Sequence, residues 1–108
     1  MMTQSLREKA DFDSLLERSH NETVLLYKHS TTCPVSARAK AEIGKLKDGQ
    51  PVYTLVVQQA RNLSQTVAEE LGVQHETPQI IVIDKGEAVS HFSHGSITAE
   101  KMREALNG

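Results

Sequence analysis

Apolar residues along this chain form short continuous runs, separated by stretches in which they recur every three or four positions. Val24-Leu25-Leu26-Tyr27, Val52 to Val57 and Gln79-Ile80-Ile81-Val82-Ile83 are the runs. Segments of that length and β-branched content predict strands buried on both faces. Between them the period is helical. Phe12, Leu15 and Leu16 share one face of a first helix, which Asp11 or Asp13 can cap. Val35, Ala39, Ile43 and Leu46 make the inward stripe of a second, from Pro34 to about Lys47, with Arg38, Lys40, Glu42, Lys45 and Lys47 solvated. Gly44 weakens this helix without ending it, and Asp48-Gly49-Gln50-Pro51 turns the chain out of it. A third helix is expected with Ser64 as its cap, Leu63, Val67, Ala68 and Leu71 inward, and Gly72 closing it in a left-handed conformation.

The remaining pattern completes one architecture. Ser5 to Lys9 reads as a short edge strand, and His20-Asn21-Glu22 as a turn. Asp84-Lys85-Gly86-Glu87 is a second turn, from which Ala88 to Phe92 pairs back as a hairpin. His94-Gly95-Ser96 leads into a last helix from about Thr98, with Ala99, Met102, Ala105 and Leu106 buried. Strand-helix-strand units require parallel strands with right-handed crossovers, and the hairpin adds antiparallel ones. The expectation is a single α/β domain over residues 1–108: a mixed four- or five-stranded sheet with helices on both faces.

Composition narrows the partners. With 108 residues, 38% hydrophobic and 24% charged, the chain has the make-up of an ordinary globular domain. A net charge of −2 gives no electrostatic case for nucleic acid or an anionic membrane. Met1 to Lys9 is polar, without the apolar core of a signal peptide, so a cytoplasmic protein is expected. The one cysteine fits a reducing compartment and forbids a disulfide within the chain. There are five histidines, but no Cys-x-x-Cys or His-x-x-x-His set, so no metal site is expected.

That cysteine is Cys33, in His29-Ser30-Thr31-Thr32-Cys33-Pro34-Val35-Ser36, between a strand and a helix. Unpaired N–H groups and the positive end of the helix dipole favour thiolate there and make the sulfur more nucleophilic near neutral pH. Pro34 suits the first helical turn, where its missing N–H costs no bond. The Ser36 hydroxyl is placed to donate to the thiolate, and Lys28 and Lys40 are candidates for added positive charge. His29, four residues before Cys33, is read first as a strand end that packs or binds water, with tuning or deprotonating the thiol as the alternative.

With this element order and a Cys-Pro-x-Ser at the first strand-to-helix turn, the chain resembles the thioredoxin superfamily. Thr77-Pro78 before the third central strand, and Gly95 after the hairpin, strengthen the likeness. The resemblance implies a cis-proline at Pro78 facing the cysteine, with Thr77, Pro78, Gly95 and Ser96 along the substrate's approach. More narrowly, Thr32-Cys33-Pro34-Val35-Ser36 resembles the monothiol bacilliredoxins, the YtxJ-like family. That likeness implies Cys33 as nucleophile in a thiol–disulfide oxidoreductase that removes bacillithiol from client proteins. Ser36 stands where dithiol relatives carry a resolving cysteine. Bacillithiol is then a co-substrate, with no bound cofactor, and the partners are bacillithiolated clients and a small thiol or redoxin that regenerates Cys33. Two rival classes are an iron–sulfur carrier, whose monothiol glutaredoxin relatives carry Gly-Phe where Pro34-Val35 stands, and a catalytically silent thioredoxin-like interaction module.

Overall fold

The structure is a computed structural model that describes residues 4–47 and 49–107. Strands β1 (Gln4–Ser5), β2 (Val24–His29), β3 (Val52–Val56), β4 (Gln79–Asp84) and β5 (Glu87–Ser93) form one sheet in the order β1-β3-β2-β4-β5. β1, β3 and β2 run parallel, and β4 lies antiparallel to both β2 and β5. Helices α1 (Lys9–Arg18), α2 (Pro34–Ile43), α3 (Arg61–Leu71) and α4 (Ala99–Asn107) cover the two faces. This is the mixed, doubly covered sheet that the strand and helix periods imply.

Strand alternation divides the core. Val24, Leu26, Tyr53, Leu55, Ile81 and Ile83 point to one side and pack with Phe12, Leu15, Leu63 and Val67 of α1 and α3. Leu25, Tyr27, Val52, Ile80 and Val82 point to the other and pack with Ala39, Ile43, Ala99 and Met102 of α2 and α4. Fully burying each of the Val, Leu, Ile, Phe and Met side chains among these contributes about 1.5–3 kcal/mol. The three interior strands, β3, β2 and β4, therefore send apolar side chains to both faces, which explains their hydrophobic runs.

Helix ends depart from the sequence reading. Helix α1 begins at Lys9, and Asp11 acts from inside its first turn, accepting from the N–H groups of Arg7 and Glu8, each at 2.9 Å. Those two donors hold the Asp11 carboxyl below its usual range. Helix α2 stops at Ile43 with Gly44 as its cap, and i→i+3 bonds then carry the chain to Leu46, which stays buried. The first turn of α2 presents Ser36 to the core, and Val35 is 41% exposed. Helix α3 starts at Arg61 after Ala60, so Ser64 is a buried residue inside it rather than its cap. Gly72 closes α3 at φ 66°. The expected edge strand over residues 5–9 contracts to Gln4–Ser5, since Asp11 draws the next backbone into the helix start. Asp48 of the predicted turn, Met1–Thr3 and Gly108 lie outside the described residues.

Candidate active site

β2 ends at His29, the chain loops through Ser30–Thr32, and Cys33 becomes the N-cap of α2 in extended conformation, followed by Pro34 at the helix start. The residue is partly exposed. Its thiol closes no strict capping bond onto the helix. The Ser36 N–H foremost, then the Ser36 hydroxyl and the Val35 N–H, pull its pKa below the ordinary cysteine value, against partial desolvation. Lys28 and Lys40, which the sequence offers only as candidates for added charge, are not among the causes.

The turn holding the sulfur is braced from three sides. Ser36 is fully buried, and its Oγ accepts from the Ser30 N–H at 3.3 Å. Below it, the Tyr27 Oη donates to the Ser36 carbonyl at 2.9 Å and lies 2.7 Å from His29 Nδ1. A phenol has one proton, and a carbonyl can only accept it, so His29 carries its proton on Nδ1 and donates to Tyr27. Burial first, and then the Lys40 charge, push the imidazole pKa down, consistent with that neutral ring. His29 thus supports Tyr27 beneath the helix start. On the opposite side of the loop Gln58 donates from Nε2 to Ser30 Oγ at 2.8 Å and accepts from the Thr31 N–H at 3.2 Å. Thr32 Oγ1 lies 3.3 Å from Ser30 Oγ. Gln58 was missed by sequence reasoning, because a polar residue after a buried strand carries no signal of what it will clamp.

The Thr77–Pro78 peptide bond is cis. Lys28 pairs with Gln79 in the β2–β4 ladder, so one step further puts Pro78 across from His29. The Pro78 carbonyl accepts from the His94 N–H at 3.0 Å, which brings the 3-10 turn His94–Ser96 to the same end of the sheet, where it packs on α2. The Cys33 loop, Pro78 and the Gly95–Ser96 turn are thereby gathered at one sheet end. Positive φ falls on His94, at 54°, and not on Gly95, where an added Cβ would meet nothing within 4 Å.

The family model of the monothiol bacilliredoxin BrxC matches residues 4–102. The chain belongs to that family. A solved structure described as a candidate oxidoreductase with a thioredoxin fold is 34% identical, with a TM-score of 0.86 over 95% of this chain and 92% of that one. The thioredoxin of Fasciola hepatica is 18% identical with a TM-score of 0.74, covering 97% of each chain. The reduced thioredoxin of Schistosoma mansoni is 20% identical with a TM-score of 0.72, covering 99% of this chain and 97% of that one. At those last identities the likeness is one of fold. Family, fold and a single cysteine together make this bacilliredoxin-family member a thiol oxidoreductase of the monothiol kind. Among the described residues, no helix is long and apolar enough to cross a membrane.

Proposed function

We propose that the protein removes bacillithiol from mixed disulfides on client proteins in the cytoplasm. The observation that carries this reading is the pairing of an acidified Cys33 at the start of α2 with a buried serine, not a second cysteine, one turn along. The Cys33 thiolate attacks the bacillithiol sulfur of the mixed disulfide. A new bond forms between that sulfur and Cys33, the old one breaks, and the client leaves as a thiolate that takes a proton from water. Cys33 now holds bacillithiol. A second bacillithiol, or a partner redoxin, attacks this disulfide and returns Cys33 to the thiol. The Thr77–Pro78 edge and the Gly95–Ser96 turn flank the extended substrate backbone, with exposed Val35 on the docking rim. Reduced protein exposed to a panel of small-thiol disulfides, then examined by intact mass spectrometry, tests the reading. We expect one bacillithiol adduct, on Cys33, formed faster than the glutathione or coenzyme A adduct. Equal rates for all three would remove bacillithiol as the preferred thiol.

A further inference from the structure

On the sheet face that packs against α1 and α3, one rung is polar. Lys28 pairs with Gln79 across β2 and β4, and Gln79 with Ser93 across β4 and β5, so the three side chains stand in a row. The next rung inward on that face carries Leu26 and Ile81, both fully buried. Lys28 and Gln79 are buried as completely, and Ser93 is half-buried.

Each member of the row reaches one residue of the segment that leads into Thr77–Pro78. Gln79 Nε2 donates to the Gln74 carbonyl at 2.9 Å. The Lys28 ammonium lies 3.1 Å from His75 Nδ1, which must accept because the ammonium cannot. Ser93 Oγ donates to Glu76 Oε2 at 2.9 Å. Gln74, His75 and Glu76 are consecutive, and Thr77–Pro78 follows directly. Lys28 also donates to the Ser64 carbonyl at 3.2 Å, and Ser64 Oγ lies 3.2 Å from His75 Nδ1, so the same segment is tied to α3.

Such a row is a poor way to stabilise a core. No ion pair among the described residues includes Lys28, and Gln79 Oε1 is buried with no hydrogen-bond partner there. Both features cost stability that an apolar rung would not. Directed bonds supply position instead. Three donors at fixed strand spacing hold three successive residues in one place, which non-directional apolar contact does not.

We propose that the Lys28–Gln79–Ser93 row positions the Thr77–Pro78 edge for protein clients, which makes these three positioning residues determinants of client binding. The inference rests on the reading of Cys33 as the exchange centre with that edge as its docking wall. No member of the row is among the groups that act on the Cys33 sulfur, which are Ser36 and Val35. A small disulfide needs the sulfur alone, whereas a protein client lays backbone along the edge. The row therefore acts on one substrate class and not on the other.

Ser93→Ala removes one hydroxyl from a half-buried site, and Lys28→Met replaces the ammonium with an apolar chain of similar length. Each should raise KM for a bacillithiolated protein client by roughly tenfold, the effect of one hydrogen bond, with kcat unchanged. Neither should move the alkylation rate of Cys33 against pH, or the exchange rate with bis(hydroxyethyl) disulfide. Ser93→Thr keeps the hydroxyl and should restore KM. In isotope-labelled protein the Thr77 amide resonance should shift in both variants while the Cys33 and Ser36 amides stay in place. An unchanged KM in Ser93→Ala and in folded Lys28→Met would overturn the row and spare the Cys33 reading. Equal losses for the client and the small disulfide, or a Ser93→Thr as impaired as Ser93→Ala, would do the same. An unmodified protein inert toward the client would remove the Cys33 reading, and the role of the row with it.

Discussion

Ser36 Oγ accepts from the Ser30 N–H, which leaves its own proton free for the Cys33 sulfur. The Ser36 N–H is the larger influence and survives any side-chain change, so Ser36→Ala should raise the Cys33 pKa only part of the way to the ordinary value. Exchange needs thiolate. The rate therefore rises as pH climbs through the Cys33 pKa and levels above it, at a lower pH than for free cysteine, and Ser36→Ala moves that rise upward. Thiolate absorbance and alkylation rate against pH check this, and an unmoved curve would remove the hydroxyl from the site. The same depression favours the folded state above the unfolded thiol pKa, a contribution lost as pH falls through the folded value. Gly95 permits a cleaner separation of structure from function. Its backbone does not need glycine and its Cβ position is open. Gly95→Ala should change stability by no more than about 0.5 kcal/mol in denaturant unfolding. It should still slow exchange with protein clients, because only an approaching substrate would meet the new methyl.

Along β2 the alternation of side chains gives Tyr27 to the Cys33 turn and Lys28 to the opposite face, and the two tie different helices to the same strand. Burial lowers the Lys28 pKa to about 8. In the unfolded chain that lysine titrates near 10.4. Below about pH 8 it is charged in both states and the folded state carries the full desolvation cost. Between those two values the folded state binds fewer protons, so its stability rises with pH. Lys28→Met should accordingly stabilise the protein at pH 7, by about 2 kcal/mol, with the gain shrinking toward pH 10 in unfolding experiments. A destabilised Lys28→Met at pH 7 would mean that the bonds to Ser64 and His75 outweigh desolvation. This strand also shows what was legible in the sequence. The doubly buried runs announced every central strand, and Cys33-Pro34 announced the junction. Helix starts were not legible where capping avoids the expected residue: Asp11 works from inside α1, and α3 begins behind Ala60 with Ser64 already in its interior. Nor could the pattern say that Lys28 would point inward, since a lysine at a strand end reads as solvated. The face was set by Tyr27 facing α2.

Taken over the entire chain, one cysteine on a fold that presents one exchange site limits how far the reaction can run alone. In the proposed cycle the first attack leaves the bacillithiol sulfur on Cys33, and the chain holds no second cysteine to displace it. Mixed in equal amount with a bacillithiolated client, the protein should end up carrying one bacillithiol and should stop there. Free bacillithiol or a partner redoxin should restart it. Cys33→Ser should release nothing. Ser36→Cys supplies the missing nucleophile at the spacing where dithiol relatives place theirs. Its position is favourable because the Ser36 N–H and hydroxyl already act on the Cys33 sulfur. The new thiol should attack Cys33 of the adduct, free bacillithiol and close a disulfide across the first turn of α2. Mass spectrometry should then show the bacillithiol adduct replaced by a species two hydrogens lighter than the reduced variant. The gain in release should come with slower initial attack, because the hydroxyl that acidifies Cys33 is gone. Multiple turnovers by the unaltered protein with no thiol added, or release by Cys33→Ser, would place the resolving chemistry outside Cys33 and end the monothiol reading.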